Sequence, residues 1–143
     1  DTARKQWNYK KEKKYHFIDP LLYRLVAKWT ETKETTREAI IEATVASHVY
    51  RWAQAYGGQI GFYNNGKFEV DIIVKSGNEL IPIEVKCSEK IDSQDWNGLY
   101  KMGKGIMLSK SEFGFEKERY LKMPIAAFLA LLEIPALIPV KYV

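Results

Sequence analysis

Apolar residues recur at helical spacing in two stretches of the first half of the chain. Asp19 and Pro20 predict the start of one helix, because Asp is a good N-cap and Pro fits the first turn. Its apolar positions then follow at the spacing of one helix face: Leu21, Leu22, Leu25, Val26 and Trp29. A second helix is predicted from about Arg37 to Tyr56 and ends at two glycines.

Three strands are predicted next, separated by two short turns. The runs 59–63, 67–75 and 79–87 are rich in β-branched and aromatic residues. Asn65 followed by Gly66, between two such runs, is a strong hairpin signal. Pro82 cannot donate a hydrogen bond to a neighbouring strand, so we expect this position to face a sheet edge or a bulge.

The remaining pattern predicts a helix and a strand, followed by shorter elements. These are a helix over 92–103, a strand over 105–109, a short strand near 119–121 and a helix over 124–132. A further short strand is predicted at 15–18, before the first helix. The central order is therefore helix, strand, strand, strand, helix, strand, which favours an α/β domain.

Composition narrows the class of protein. A length of 143 residues corresponds to about one domain, and 46% hydrophobic with 28% charged residues is ordinary for a soluble globular protein. A single cysteine excludes an internal disulfide and favours the reducing cytoplasm. The apolar stretch from Met123 to Val140 contains Glu133 and three prolines, so we do not expect it to span a membrane. The chain begins with Asp1 rather than Met, which suggests a fragment of a longer protein.

The net charge of +4 is concentrated in the first 14 residues. Two acidic residues there are outnumbered by Arg4, Lys5, Lys10, Lys11, Lys13 and Lys14, whereas the remaining residues sum to zero. Interleaved Trp7 and Tyr9 would suit a nucleic-acid-binding arm that combines phosphate contacts with base stacking. A solvated linker to an upstream domain explains the same composition.

Candidate chemistry lies in the second and third predicted strands. Residues two apart in a strand point to the same face, so Glu84 and Lys86 share one face while Ile83 and Val85 share the other. Asp71 lies on the neighbouring strand. Two carboxylates can hold a hard cation such as Mg²⁺, and a lysine can polarise the attacking water in phosphodiester hydrolysis. Taken alone, the Glu-x-Lys pattern is also typical of a solvated strand face.

A third carboxylate is expected from the helix over 37–56. Glu42 lies in the helix that precedes the three strands, so it could meet the other two carboxylates at one end of the sheet. An exposed helical glutamate with no such role remains the alternative.

At these positions the chain resembles the PD-(D/E)XK nuclease superfamily, which includes restriction endonucleases and archaeal Holliday-junction resolvases. The resemblance covers about residues 37–110. It implies a restriction-endonuclease-like αβββαβ core, with a mixed sheet flanked by helices and helical additions at both ends. More narrowly, segments 14–20, 69–71 and 81–86 resemble the C-terminal domain that follows the ATPase module in archaeal AAA+-type ATPases.

The resemblance implies roles for the matching residues. Asp71, Glu84 and the backbone carbonyl of Val85 would bind Mg²⁺ or Mn²⁺, Lys86 would orient water, and Glu42 would assist the metal or the water. The expected function is a metal-dependent DNA endonuclease-like domain, residues 15–143, attached to an ATPase domain in the same parent chain.

Two other functions stay open at this point. One is a non-catalytic nucleic-acid-binding or regulatory module of such an ATPase, and the other is a structural interaction domain. A charge-neutral globular body favours these, because a nuclease usually presents a broader basic surface. A homo-oligomer is compatible with each of the three.

Overall fold

The computed structural model describes residues 14–133, so the arm residues Arg4, Lys5, Lys10, Lys11 and Lys13 lie outside it. The helices are α1 (Leu21–Trp29), α2 (Arg37–Ala55), α3 (Asn97–Met102) and α4 (Ile125–Glu133). The strands are β1 (Gln59–Asn64), β2 (Glu69–Ser76), β3 (Glu79–Val85), β4 (Gly105–Ser109), β5 (Gly114–Glu116) and β6 (Tyr120–Pro124). A short 3₁₀ helix, Ser93–Trp96, leads into α3.

The six strands form one mixed sheet in the order β1-β2-β3-β4-β6-β5. The β1, β2 and β3 strands pair antiparallel, while β4 runs parallel to both β3 and β6. The chain crosses from β3 to β4 through the 3₁₀ helix and α3. An α/β domain with a mixed sheet and flanking helices is thereby confirmed, and α2-β1-β2-β3-α3-β4 follows the predicted order.

Two hydrophobic clusters cover the two faces of this sheet. On one face, Val45 and Val49 of α2 and Phe128 of α4 pack against strand residues that include Ile72 and Ile83. On the other face, the 3₁₀ helix and α3 contribute the side chains that pack against Val70, Ile73, Met107 and Tyr120. Burial of both faces explains why the central strands are mainly apolar except near their ends.

The two predicted turns join the antiparallel strands. Asn64 Oδ1 accepts a hydrogen bond from the Gly66 N–H at 2.8 Å, and Asn65 Oδ1 accepts one from the Lys67 N–H at 3.0 Å. Gly66 has φ of 80°, a left-handed conformation that favours glycine. The side chains and backbone of this turn therefore fix the register between β1 and β2.

Pro82 lies in an internal strand rather than in an edge strand. It pairs with Ile73 of β2, but the pairing of β3 with β4 begins only at Ile83. The edge predicted for Pro82 is therefore a local one, because among the described strands only β2 pairs with β3 at this residue.

Helix α2 begins where the sequence predicts. The Thr36 hydroxyl accepts a hydrogen bond from the Ala39 N–H at 3.3 Å, which caps the helix. Val45, Val49 and Ala53 are buried against the sheet, whereas Glu42 is only partly buried one turn before them.

The strand predicted at 15–18 is wrong. These residues form no regular element, and the Phe17 N–H donates to the Tyr23 hydroxyl at 3.2 Å instead of to a strand. Helix α1 forms as predicted, yet Ala27 is its one buried residue and Trp29 is exposed. Strand β5 has no counterpart among the predicted elements.

The helices within residues 14–133 do not include one that combines the length and the apolar character needed to cross a membrane.

Candidate active site

A bulge in β2 determines the position of Asp71 in the sheet. Gly61 pairs with Ile73 and Tyr63 with Val70, so two steps along β1 match three steps along β2 and one extra residue lies in β2. Val70 consequently packs on the α3 side of the sheet, whereas Ile72 packs on the α2 side. Asp71 lies between them, where the regular alternation of the strand is broken.

Asp71 is fixed by the backbone of the adjacent strand. Its Oδ2 accepts a hydrogen bond from the Val85 N–H at 3.0 Å, and its side chain is 12% exposed. This bond joins the bulge of β2 to the end of β3. Val85 thus contributes its N–H to the site, and the metal-binding role of its carbonyl remains a prediction.

Glu84, near the end of β3, and Lys86, which directly follows this strand, lie on the same side, as the strand period predicts. Ile83 and Val85 pack on the α2 side, so Glu84 points toward the α3 side. Lys86 Nζ lies 3.2 Å from Glu84 Oε1 and 3.6 Å from Asp95 Oδ1 in the 3₁₀ helix. A capping box between Asp92 and Asp95 holds that helix start in place.

Glu84 is a buried carboxyl group with an incomplete set of partners. Its side chain is 10% exposed, and no hydrogen-bond donor among the described residues reaches its buried Oε2. Burial, together with the negative charge of Asp71, raises the pKa of Glu84 to about 7 despite the opposing charge of Lys86. A cation near Oε2 would offset both the burial and the repulsion.

Lys14 lies among three carboxylates on the other side of Asp71. Its Nζ is 2.7 Å from Glu42 Oε1, 2.5 Å from Glu69 Oε1 and 3.2 Å from Asp71 Oδ1. The ammonium group also lies 5.9 Å from the centre of the Phe62 ring. Burial lowers the pKa of Lys14, but the hydrogen bonds to Glu42 and Glu69 and the charge of Asp71 outweigh it and the net pKa is raised. Lys14 is therefore a firmly held cation.

The carboxylates do not form a ready-made metal site. Within residues 14–133, no group of three or more His, Cys, Asp and Glu side chains is arranged to hold a metal ion. Lys14 contacts Glu42, Glu69 and Asp71, whereas Glu84 contacts Lys86. Asp71 also interacts with Glu84, so it connects the two groups. The chemistry of the possible ligands still fits Mg²⁺ or Mn²⁺, since the side chains offer carboxylate oxygens and Glu84 Oε2 has no hydrogen-bond partner among the described residues.

The structure brings the four predicted catalytic residues to one end of the sheet, in two linked pairs. Lys14 bridges Glu42 and Asp71, and Lys86 contacts Glu84. Glu69 and Asp95 also lie at the site, although neither is among the predicted site residues, and Lys14, predicted as part of the basic arm, contacts Asp71. Spacing offered one usable signal, because Glu69 lies two residues before Asp71 in the same strand.

Gly98 in α3 controls how closely this helix approaches the bulge. A Cβ at this position would lie 2.3 Å from the Glu69 carbonyl oxygen, which is backbone and cannot move aside cheaply. We expect Gly98→Ala to lower the free energy of unfolding by about 1–3 kcal/mol, the scale of overpacking. Urea denaturation measures this, with Asn97→Ala at the exposed neighbouring position as the control. A Gly98→Ala protein as stable as the control would show that α3 does not press on β2.

The raised pKa of Glu84 predicts a pH dependence of stability in the metal-free protein. The folded-state pKa of about 7 exceeds the ordinary value of 4.5, so the folded protein favours the protonated carboxyl. This contribution is fully present below about pH 4.5 and is lost as the pH rises through about 7, by on the order of 3 kcal/mol. Denaturation in EDTA across this range measures it.

Glu84→Gln should remove that part of the pH dependence, because the amide does not ionise. Glu34→Gln, in the exposed loop before α2, should keep the parental profile. Identical profiles for the parent and Glu84→Gln would contradict the assignment of the pH dependence to Glu84.

Comparison with known proteins yields one family. The DUF4143 family, described as a domain of unknown function, matches residues 37–128. This span runs from the start of α2 to Phe128 in α4, so it contains β2, β3 and their carboxylates but not Lys14. Searches of curated proteins and of solved structures find no significant match. Because the matched span covers more than half of its residues, the chain belongs to the DUF4143 family.

Proposed function

We propose that this domain is a divalent-cation-dependent phosphodiester hydrolase that acts on DNA. The observation that carries the proposal is the buried Glu84, whose Oε2 lacks a hydrogen-bond partner among the described residues and whose ionisation Asp71 opposes. An ionised pair of this kind is stabilised when a cation joins it. Lys86, which follows β3 and lies 3.2 Å from Glu84 Oε1, supplies the third group that the chemistry needs.

Asp71, Glu84 and the carbonyl of Val85 are the proposed ligands of Mg²⁺ or Mn²⁺. When bound, the cation would make hydroxide available and offset charge on the phosphate oxygens. Asp71 is kept in place by the Val85 N–H, and Lys86 is positioned between Glu84 and Asp95. Lys86 can therefore orient the attacking water and oppose negative charge as it develops.

Glu42 is proposed to assist the cation or the water from α2. Its Oε1 already lies close to Lys14 and 3.9 Å from His16 Nε2, so it faces the site rather than open solvent. The basic residues before Lys14 are proposed to contact DNA phosphates, and an ATPase domain in the same parent chain is the proposed intramolecular partner. The resemblance to PD-(D/E)XK nucleases, carried by Glu42, Asp71, Glu84 and Lys86, supports these assignments.

A non-catalytic regulatory module is the second candidate, and the position of Lys14 favours it. The Lys14 ammonium group already forms ion pairs with Glu42, Glu69 and Asp71 and partly offsets their negative charge, as in an ion network that only supports the fold. Such a network would need no divalent cation.

One set of incubations separates the two candidates. The 143-residue chain is mixed with duplex, four-way-junction or single-stranded DNA in Mg²⁺, Mn²⁺ or EDTA. We expect cleavage of at least one substrate with a divalent cation and none in EDTA or with Glu84→Gln. If calorimetry shows that Mn²⁺ binds while every substrate stays intact, the hydrolase proposal fails and the regulatory module is favoured.

A further inference from the structure

We propose that Lys14 is a built-in competitor of the divalent cation and must leave the carboxylates before the cation can bind. The inference rests on the cation-dependent function proposed above and adds a regulatory contact to it. Its basis is the position of Lys14 Nζ, which lies within 3.2 Å of Glu42, Glu69 and Asp71. Two of these residues, Glu42 and Asp71, are the ones proposed to serve the cation.

Geometry makes the two cations mutually exclusive at Asp71. Both carboxylate oxygens of Asp71 are already engaged, Oδ1 by Lys14 and Oδ2 by the Val85 N–H. A Mg²⁺ ion binds a carboxylate oxygen at about 2.0–2.1 Å, which would place it close to the ammonium group. The divalent cation and the ammonium group of Lys14 therefore compete for Asp71, because like charges repel at that separation. Lys86 can stay in place, because it contacts Oε1 of Glu84 and Oε2 has no partner among the described residues.

The contact is formed by a partly exposed side chain near the end of the basic run. The Lys14 side chain is 28% exposed, and residues 15–18, which follow it, form no helix or strand. Lys14 is also the last member of the basic run that begins at Arg4. Any event that draws this run away, such as binding of a polyanion, would also withdraw Lys14 from the carboxylates.

Cation affinity is the first measurement. If Lys14 occupies the carboxylates about nine-tenths of the time, Lys14→Gln should bind Mn²⁺ about tenfold more tightly than the parent chain in calorimetry. Lys14→Arg keeps the charge and should stay within about twofold of the parent. Lys67→Gln removes an equal charge from the exposed turn between β1 and β2 and should also match the parent.

Displacement is the second measurement, because removing a positive charge could strengthen cation binding without any competition. Trypsin cleaves after Lys14 and after Lys67, and mass spectrometry follows both cuts in one sample. Mn²⁺ should speed the cut after Lys14 by about tenfold while the exposed Lys67 cut keeps its rate and reports any effect on trypsin itself.

Each outcome decides the inference. Tighter Mn²⁺ binding by Lys14→Gln together with a faster Lys14 cut supports it. A Lys14→Gln affinity equal to that of the parent, or a Lys14 cut that Mn²⁺ leaves unchanged or slows, overturns it, as does the absence of Mn²⁺ binding in all variants. If the calorimetry and the trypsin cleavage both support the inference but no DNA is cleaved, the hydrolase proposal fails and the competitor role of Lys14 remains supported.

Discussion

Replacing Lys86 with alanine is expected to lower the rate of DNA cleavage by about 10²-fold or more, the scale of losing one electrostatic stabiliser. Burial lowers the pKa of Lys86, but the charge of Glu84 and the hydrogen bond to it outweigh burial and raise it, so Lys86 stays protonated. Its contact with developing negative charge strengthens in the transition state, which changes the rate more than DNA binding. Single-turnover cleavage of a labelled substrate measures the loss.

The structure adds a condition to this experiment. Lys86 opposes the rise in the pKa of Glu84, so its removal should raise that pKa above about 7 and leave Glu84 protonated near neutral pH. Cleavage by Lys86→Ala is therefore compared with that of the parent over a pH series that extends well above neutral, because a protonated Glu84 would weaken cation binding for a reason separate from the chemistry of Lys86.

Lys104→Ala is the matched control. Lys104 forms an ion pair with Glu79 on the same sheet, but both side chains are largely exposed. Removing an exposed ion pair should change stability by less than about 1 kcal/mol and leave cleavage unaltered. If Lys86→Ala cleaves as fast as Lys104→Ala at high pH, Lys86 is a structural partner of Glu84 and has no part in the chemistry.

Local sequence signals predict the elements that carry the site. The side chains of Asn64 and Asn65 accept hydrogen bonds from backbone N–H groups of their own turn, and the Thr36 side chain caps α2. Both signals act over three residues or fewer, so they can be identified from the chain alone. The alternation around Glu84 is equally local, which is why the shared face of Glu84 and Lys86 follows from strand period.

The centre of the site depends on interactions that no local pattern contains. Lys14 meets Asp71 across 57 positions of sequence, so its composition-based assignment to the arm could not reveal this contact. The extra residue in β2 becomes visible only when its register with β1 is compared. In the sequence, Gly98 is only a residue with low helix propensity. The need for glycine there becomes clear only from the nearby Glu69 carbonyl oxygen, which leaves no room for a Cβ.

Secondary-structure errors have a similar physical origin. A strand needs a neighbour to satisfy its backbone, and within residues 14–133 no strand pairs with residues 15–18. The Phe17 N–H donates to the Tyr23 hydroxyl instead. Strand β5 is only three residues long and pairs with β6, so its identity depends on its partner more than on its own sequence. Helix α1 has a clear helical pattern, but within residues 14–133 its apolar face is left largely exposed.

Asp71→Asn is expected to abolish the stabilisation of the protein by Mn²⁺. At a free cation concentration of about 100 times Kd, binding to the folded state alone contributes about 2.7 kcal/mol. For a domain of this size that corresponds to a rise in Tm of roughly 10 °C, which differential scanning calorimetry resolves. The amide retains an oxygen that can accept from the Val85 N–H, so the link between β2 and β3 is preserved while the charge is lost.

Glu69→Gln is the control that separates the proposed ligand from its neighbour. Glu69 contacts the same Lys14 ammonium as Asp71 does, but it is not a proposed ligand of the cation. If Lys14 competes with the cation, weakening its hold should leave the Mn²⁺ response intact or enlarge it. A response that disappears in Glu69→Gln and persists in Asp71→Asn would place the cation on the α2 side of the sheet, next to Glu42, and would contradict the pairing of Asp71 with Glu84.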